Sequence, residues 1–171
     1  MGSWFKGLVL GTAALLGLST AGEPPMTTIR PFRDAESLYV SVELEGLPGE
    51  DLERLVDASF NVRVSAAISA GTGKAEVYRE ISFDGLRYEV TVSETGGVHR
   101  TDDSAAAWAI ASRFGKIRLC PVSSLRFPIA ISCKVSLTLP DGESYDPMVV
   151  WGYKPAAAYR ELDSVGLVPY Y

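Results

Sequence analysis

His99 is the one histidine in a chain of 171 residues, so any mechanism of the Ser-His-Asp or Cys-His kind would have to run through it. It stands in Val98-His99-Arg100-Thr101, between a glycine turn and a helix start, where a strand residue with one face in water is the ordinary expectation. No Gly-x-Ser-x-Gly elbow occurs to present a nucleophile. An enzyme of unfamiliar type working through His99 therefore stands third among the functional readings, behind two that need no reactive group.

The other polar constellations fail as chemistry for stated reasons. Ala70-Gly71-Thr72-Gly73-Lys74-Ala75 looks like a phosphate loop, but the motif would need Gly where Ile68 stands and Ser or Thr where Ala75 stands. It also leads into a strand pattern, so it reads as a hairpin turn. Asp141, Glu143 and Asp146 alternate around Gly142 in the manner of a calcium loop without the full pattern, and read as solvated hairpin residues. Asp102 and Asp103 read as helix-capping oxygens rather than as a catalytic acid pair. No catalytic residue, metal ligand set or cofactor follows from these spacings.

Cys120 and Cys133 flank the loop from Pro121 to Pro128 and are candidates for a disulfide in an oxidising compartment, with two buried free thiols as the equal alternative. Zinc would need four ligands, and His99 is the only other soft donor. Among the aromatics, Trp108 on an alanine-rich helix reads as the anchor that seats that helix on a sheet. Trp151 and Tyr153 share one face of a late strand candidate and form a candidate binding patch, with core packing as the plainer reading.

These side chains must be positioned by strands. Leu38, Val40, Val42 and Leu44 alternate with Tyr39, Ser41, Glu43 and Glu45, the period of a strand with one face buried. The same period runs through 60–69, 75–83 and 86–92, and further strands are expected at 116–119, 129–139 and 148–153. In the strand over 75–83, Arg79 falls on the apolar face; a strand-end side chain that reaches solvent is expected there. Two short helices interrupt the pattern, one at about 50–59 with Leu52, Leu55, Val56 and Ser59 on one face, the other at about 103–114, stopped by Gly115. The fold class is mainly β, an antiparallel β-sandwich or barrel-like sheet pair with these two helices.

At the N-terminus, Lys6, an apolar run from Gly7 to Leu18 and the small residues Ser19-Thr20-Ala21 read as an export signal cleaved after Ala21. The apolar run is too short to span a bilayer, so no stable membrane insertion is expected after cleavage. The organisation reads as signal peptide 1–21, extended leader 22–36, sandwich domain 37–155 and a C-terminal tail 156–171 with a short helix through Ala156, Tyr159 and Leu162. The whole chain carries a net charge of -5; losing Lys6 and no acid brings the mature balance to -6, which disfavours nucleic acid and anionic lipid as partners.

The order of these signals resembles a family of exported bacterial proteins, widespread in proteobacteria, known as a domain of unknown function. The resemblance covers about residues 38–139. It rests on Leu44-Glu45-Gly46-Leu47 turning into a short helix, on Leu86-Arg87-Tyr88-Glu89-Val90 before a glycine turn, on the alanine-rich helix through Trp108 and Phe114, and on Gly115-Lys116-Ile117 leading to Leu119 and Pro121. Asp141 to Tyr153 replaces the leucine-proline-rich strand and terminal segment usual in that family. The resemblance implies an envelope location and a sheet-rich fold, and assigns no activity.

The leading expectation is a non-catalytic periplasmic or secreted binding or assembly module with a protein partner in the cell envelope. The alternative is a carrier of an apolar small molecule held between the sheets and gated by the helix carrying Trp108.

Overall fold

The computed structural model describes residues 26–47 and 49–138, and the backbone of three later strands at 144–145, 158–162 and 168–169. The expected signal sequence 1–21, the acidic group Asp141, Glu143 and Asp146, and the strand candidate 148–153 with Trp151 and Tyr153 lie outside the described residues.

Period-two segments become strands in chain order: β1 (Met26–Arg33), β2 (Ser37–Glu45), β3 (Val62–Ala70), β4 (Gly73–Phe83), β5 (Tyr88–Val92), β6 (Gly97–Thr101), β7 (Arg113–Pro121), β8 (Ile129–Thr138), β9 (Ser144–Tyr145), β10 (Ala158–Leu162) and β11 (Val168–Pro169). They form two sheets, one in the order β11-β1-β2-β7 and one in the order β10-β8-β3-β4-β5-β6, with β9 added to β8. Every pairing is antiparallel except that of β1 with β11. The protein is mainly β, with the two-sheet sandwich architecture that the alternation predicts.

The core lies between the sheets. Leu38, Val40, Val42 and Leu44 of β2 are buried, as are Val62, Val64, Ala66 and Ile68 of β3 and Ile131, Cys133, Val135 and Leu137 of β8. Each set skips one residue, because successive strand side chains point to opposite faces. Helix α1 (Glu50–Asp57) connects the first sheet to the second and buries Leu52, Leu55 and Val56. Helix α2 (Ser104–Ala111) returns the chain from β6 to β7 and buries Ala107, Trp108 and Ala111. Its start is the expected one: the Asp103 carboxylate accepts a hydrogen bond from the Ala105 amide at 2.9 Å. Among the described residues no helix is long and apolar enough to cross a membrane.

Five expectations are corrected. The leader does not stay outside the fold: from Met26 on it is β1, paired with β2 along its whole length, even though Pro31 sits within it. Proline is tolerated at strand edges, and β11 covers β1 only at Phe32 and Arg33. The tail helix is instead β10, because β8 offers it an open edge from Ile129 to Cys133. Helix α1 stops at Asp57, with Ser59 exposed in a left-handed conformation (φ 67°) that lets the Ser59 and Phe60 amides donate to the carbonyls of Val56 and Leu55. Helix α2 ends before Arg113, and Gly115 lies within β7.

The fifth concerns Arg79, which is 4% exposed rather than solvated. Its guanidinium pairs with the Glu94 carboxylate through both terminal nitrogens, donates to the carbonyls of Tyr78 (3.0 Å) and Arg113 (3.1 Å), and lies 4.8 Å from the Phe114 ring centre. This one side chain ties β4 of the second sheet to the first residues of β7 in the other. A buried cation persists only when paired and hydrogen-bonded in this way.

Candidate functional site

The most site-like feature of the structure begins with a sequence detail, the pair Gly115-Lys116. Val40 of β2 pairs with Ile117 of β7 and Val42 pairs with Phe114, so Gly115 and Lys116 together oppose the single residue Ser41. This is a β-bulge, which bends the strand and re-aims its side chains. Both bulge residues face outward and are exposed, and Gly115 contributes no side chain. Beside it opens a cavity of about 420 Å³ on the outer face of the four-stranded sheet, lined by Thr28, Arg30, Ser41, Glu43, Arg113 and Gly115, with Val42 and Phe114 beneath.

Charge organises this cavity. The Glu43 carboxylate lies 3.3 Å from a terminal nitrogen of Arg30 on β1 and accepts from Nε of Arg113 on β7 at 3.1 Å. Cross-strand register places all three side by side, since Glu43 pairs with Thr28 on one flank and with Arg113 on the other. Both guanidinium side chains are 68% exposed, whereas Glu43 is 28% exposed. Farther along the same face, Phe32 and Tyr39 stack with centroids 5.6 Å apart, and the Lys116 ammonium sits 4.7 Å from the Tyr39 ring centre. Arg30, Arg113, Lys116 and Arg118 thus stand on this face against Glu43, Glu45 and, beside Tyr39 and Lys116, Asp34, a modestly basic surface on an acidic chain.

The residues singled out from the sequence lie elsewhere. His99 is exposed on β6, opposite Val90, and makes no hydrogen bond or ion pair among the described residues. Trp108 is 1% exposed on α2, as an anchor should be, and its indole N–H finds no acceptor among the described residues. Cys120 and Cys133 are buried and free. Cys120 of β7 pairs with Leu38 and Cys133 of β8 with Ile68, so the two thiols belong to different sheets and no bond joins them in this structure. Burial pushes the Cys133 thiol up to about 11, which leaves it little thiolate to react. Among the described residues no three His, Cys, Asp or Glu side chains gather to hold a metal.

A second polar group joins the helices. The Tyr88 hydroxyl donates to Asp57 at 2.6 Å, and the Ser104 hydroxyl donates to Glu53 at the same distance. The hydrogen bond to Asp57, reinforced by burial, raises the Tyr88 hydroxyl above its ordinary value, so it stays protonated and latches α1 to β5.

The sequence places Ser41 and Glu43 on a wetted strand face and Gly115 at a helix end, and singles out neither Arg30 nor Arg113. The available signal was the outward-facing set of β2, where Ser41 and Glu43 are the small and acidic residues that basic neighbours would flank. No family model matches this chain, and no curated protein or solved structure proved similar to it.

Proposed function

We propose that this protein is a non-catalytic binding module whose partner is a protein, docked on the outer face of the four-stranded sheet. The observation that carries the reading is the bulge-opened cavity between Arg30 and Arg113, set in a basic and aromatic face on a chain of net charge -5. Arginine and tyrosine, here exposed Arg30 and Arg113 and half-buried Tyr39, are with tryptophan the side chains that contribute most to protein interfaces, because each combines a large contact area with directional hydrogen bonds. The cavity lies outside the sheet pair, so it supports surface docking rather than carriage of an apolar molecule between the sheets. Action outside the cytoplasm, in the periplasm or as a secreted protein, belongs to the same reading and is supported by the N-terminal export pattern.

The test is position-specific photo-crosslinking in the native host. A crosslinker at Ser41 should yield one discrete protein adduct, and one at Lys134 on β8 of the opposite sheet should not. Charge reversal at Arg30 and Arg113 together should abolish the Ser41 adduct. Equal labelling at both positions, or none at Ser41, would sink the proposal.

A further inference from the structure

Building on that docking face, we infer that the cavity at the β7 bulge is a carboxylate subsite: it takes an aspartate or glutamate side chain from an acidic segment of the partner. The protein's own Glu43 shows the recognition geometry. One carboxylate here already bridges two guanidiniums on separate strands, one oxygen to each. Each arginine spends one nitrogen on Glu43 and keeps most of its N–H donors for another acceptor, since a guanidinium carries several in a planar fork. No other hydrogen bond or ion pair from the Arg30 and Arg113 side chains exists among the described residues.

The space is adequate. A volume of about 420 Å³ lies toward the small end of the range for ligand pockets, roughly 300–1,000 Å³. Gly115 keeps it open, and a Cβ added there would meet nothing within 4 Å. The cavity carries two guanidiniums against one carboxylate, so a second carboxylate completes its charge balance. A dianionic phosphate would overshoot that balance and face repulsion from Glu43. Nucleic acid meets the further obstacle of the chain's overall negative charge.

Glu43 is therefore both the template and the competitor, which gives the inference an unusual signature: removing an acid should improve binding of an acid. The probe is hexaglutamate peptide, titrated calorimetrically into the purified chain at low salt, with hexaglutamine and inorganic phosphate as comparisons. Hexaglutamate should bind and hexaglutamine should not. Glu43→Gln should tighten hexaglutamate binding by roughly threefold to tenfold, the worth of releasing two exposed ion pairs. Arg113→Gln should weaken it by a similar factor, and Gly115→Leu should occlude it while the thermal midpoint stays near that of the parent.

Unchanged or weaker binding by Glu43→Gln overturns the inference, as does a failure of both parent and Glu43→Gln to bind hexaglutamate. Phosphate binding as tight as hexaglutamate would reassign the cavity to a free anion and also overturn it. The docking face is tested separately. A partner crosslinked at Ser41 with no hexaglutamate binding would leave the face standing and remove the carboxylate subsite. Hexaglutamate binding without a crosslinked partner would do the reverse.

Discussion

Replacing Glu94 with alanine strips the buried Arg79 guanidinium of its charge partner and leaves it held by two backbone carbonyls and the Phe114 ring. Removing one member of a buried ion pair costs about 3–5 kcal/mol, because the remaining charge sits unpaired away from water. Glu94 keeps 19% of its side-chain exposure, which places the expected loss at the low end, about 3 kcal/mol. For a chain of this size that lowers the thermal midpoint by roughly 6–12 °C, readable by calorimetry or circular dichroism. Arg79→Met combined with Glu94→Ala should cost less than the two single changes added together, since neither partner is then left buried and alone.

The same pair sets an acid limit. Burial pushes the Glu94 carboxyl upward, but hydrogen bonds from Arg79, from its own backbone amide and from Ser93 outweigh that and hold it below its ordinary value of 4.5. A carboxyl depressed in the folded state binds fewer protons there than in the unfolded chain, so stability rises with pH through this range. The contribution of the pair is complete above about pH 4.5 and is lost as pH falls through the lower folded-state value. Glu94→Ala should flatten that limb of the stability profile. A Glu94→Ala protein within about 0.5 kcal/mol of the parent, with the acid limb intact, would show the pair to be an ordinary solvated bridge and refute the reasoning.

Three further outcomes concern local geometry, each read from denaturant or thermal unfolding. Gly73→Ala should destabilise by about 1–3 kcal/mol, because a Cβ there would stand 2.8 Å from the Leu119 carbonyl oxygen where β4 abuts β7. Asp103→Ala should cost about 1 kcal/mol by leaving the Ala105 amide at the start of α2 uncapped. Ser59→Gly should instead stabilise the protein by about 1 kcal/mol, since it relieves a left-handed conformation in a residue with a Cβ at the end of α1.

What the sequence discloses and what it hides divide along a physical line. Strands β2 to β5 and β8 are legible because each has one face in the core and one in water, so burial writes itself as alternation. Strand β10 is hidden because Ala156, Tyr159 and Leu162 also fit a helical period over so few residues, and only the open edge of β8 decides between the two. The burial of Arg79 is illegible for a different reason. Its partners, Glu94 and Phe114, lie 15 and 35 positions away, and nothing in the local pattern reveals that they converge. The cavity combines both difficulties, since it depends on a bulge that re-aims Gly115 and Lys116 and on three strands brought together by register. Its residues are polar and outward-facing, which in the sequence is indistinguishable from an ordinary wetted face.

The most direct measurement is the hydrogen-exchange footprint of the protein with its partner bound, isolated from the native host and compared with the free chain. Docking on the outer face of the four-stranded sheet predicts slowed amide exchange in β1, β2 and β7 around Arg30, Ser41 and Gly115, with β4, β5 and β6 unchanged. Protection confined to β5 and β6, or spread evenly over both sheets, would contradict it.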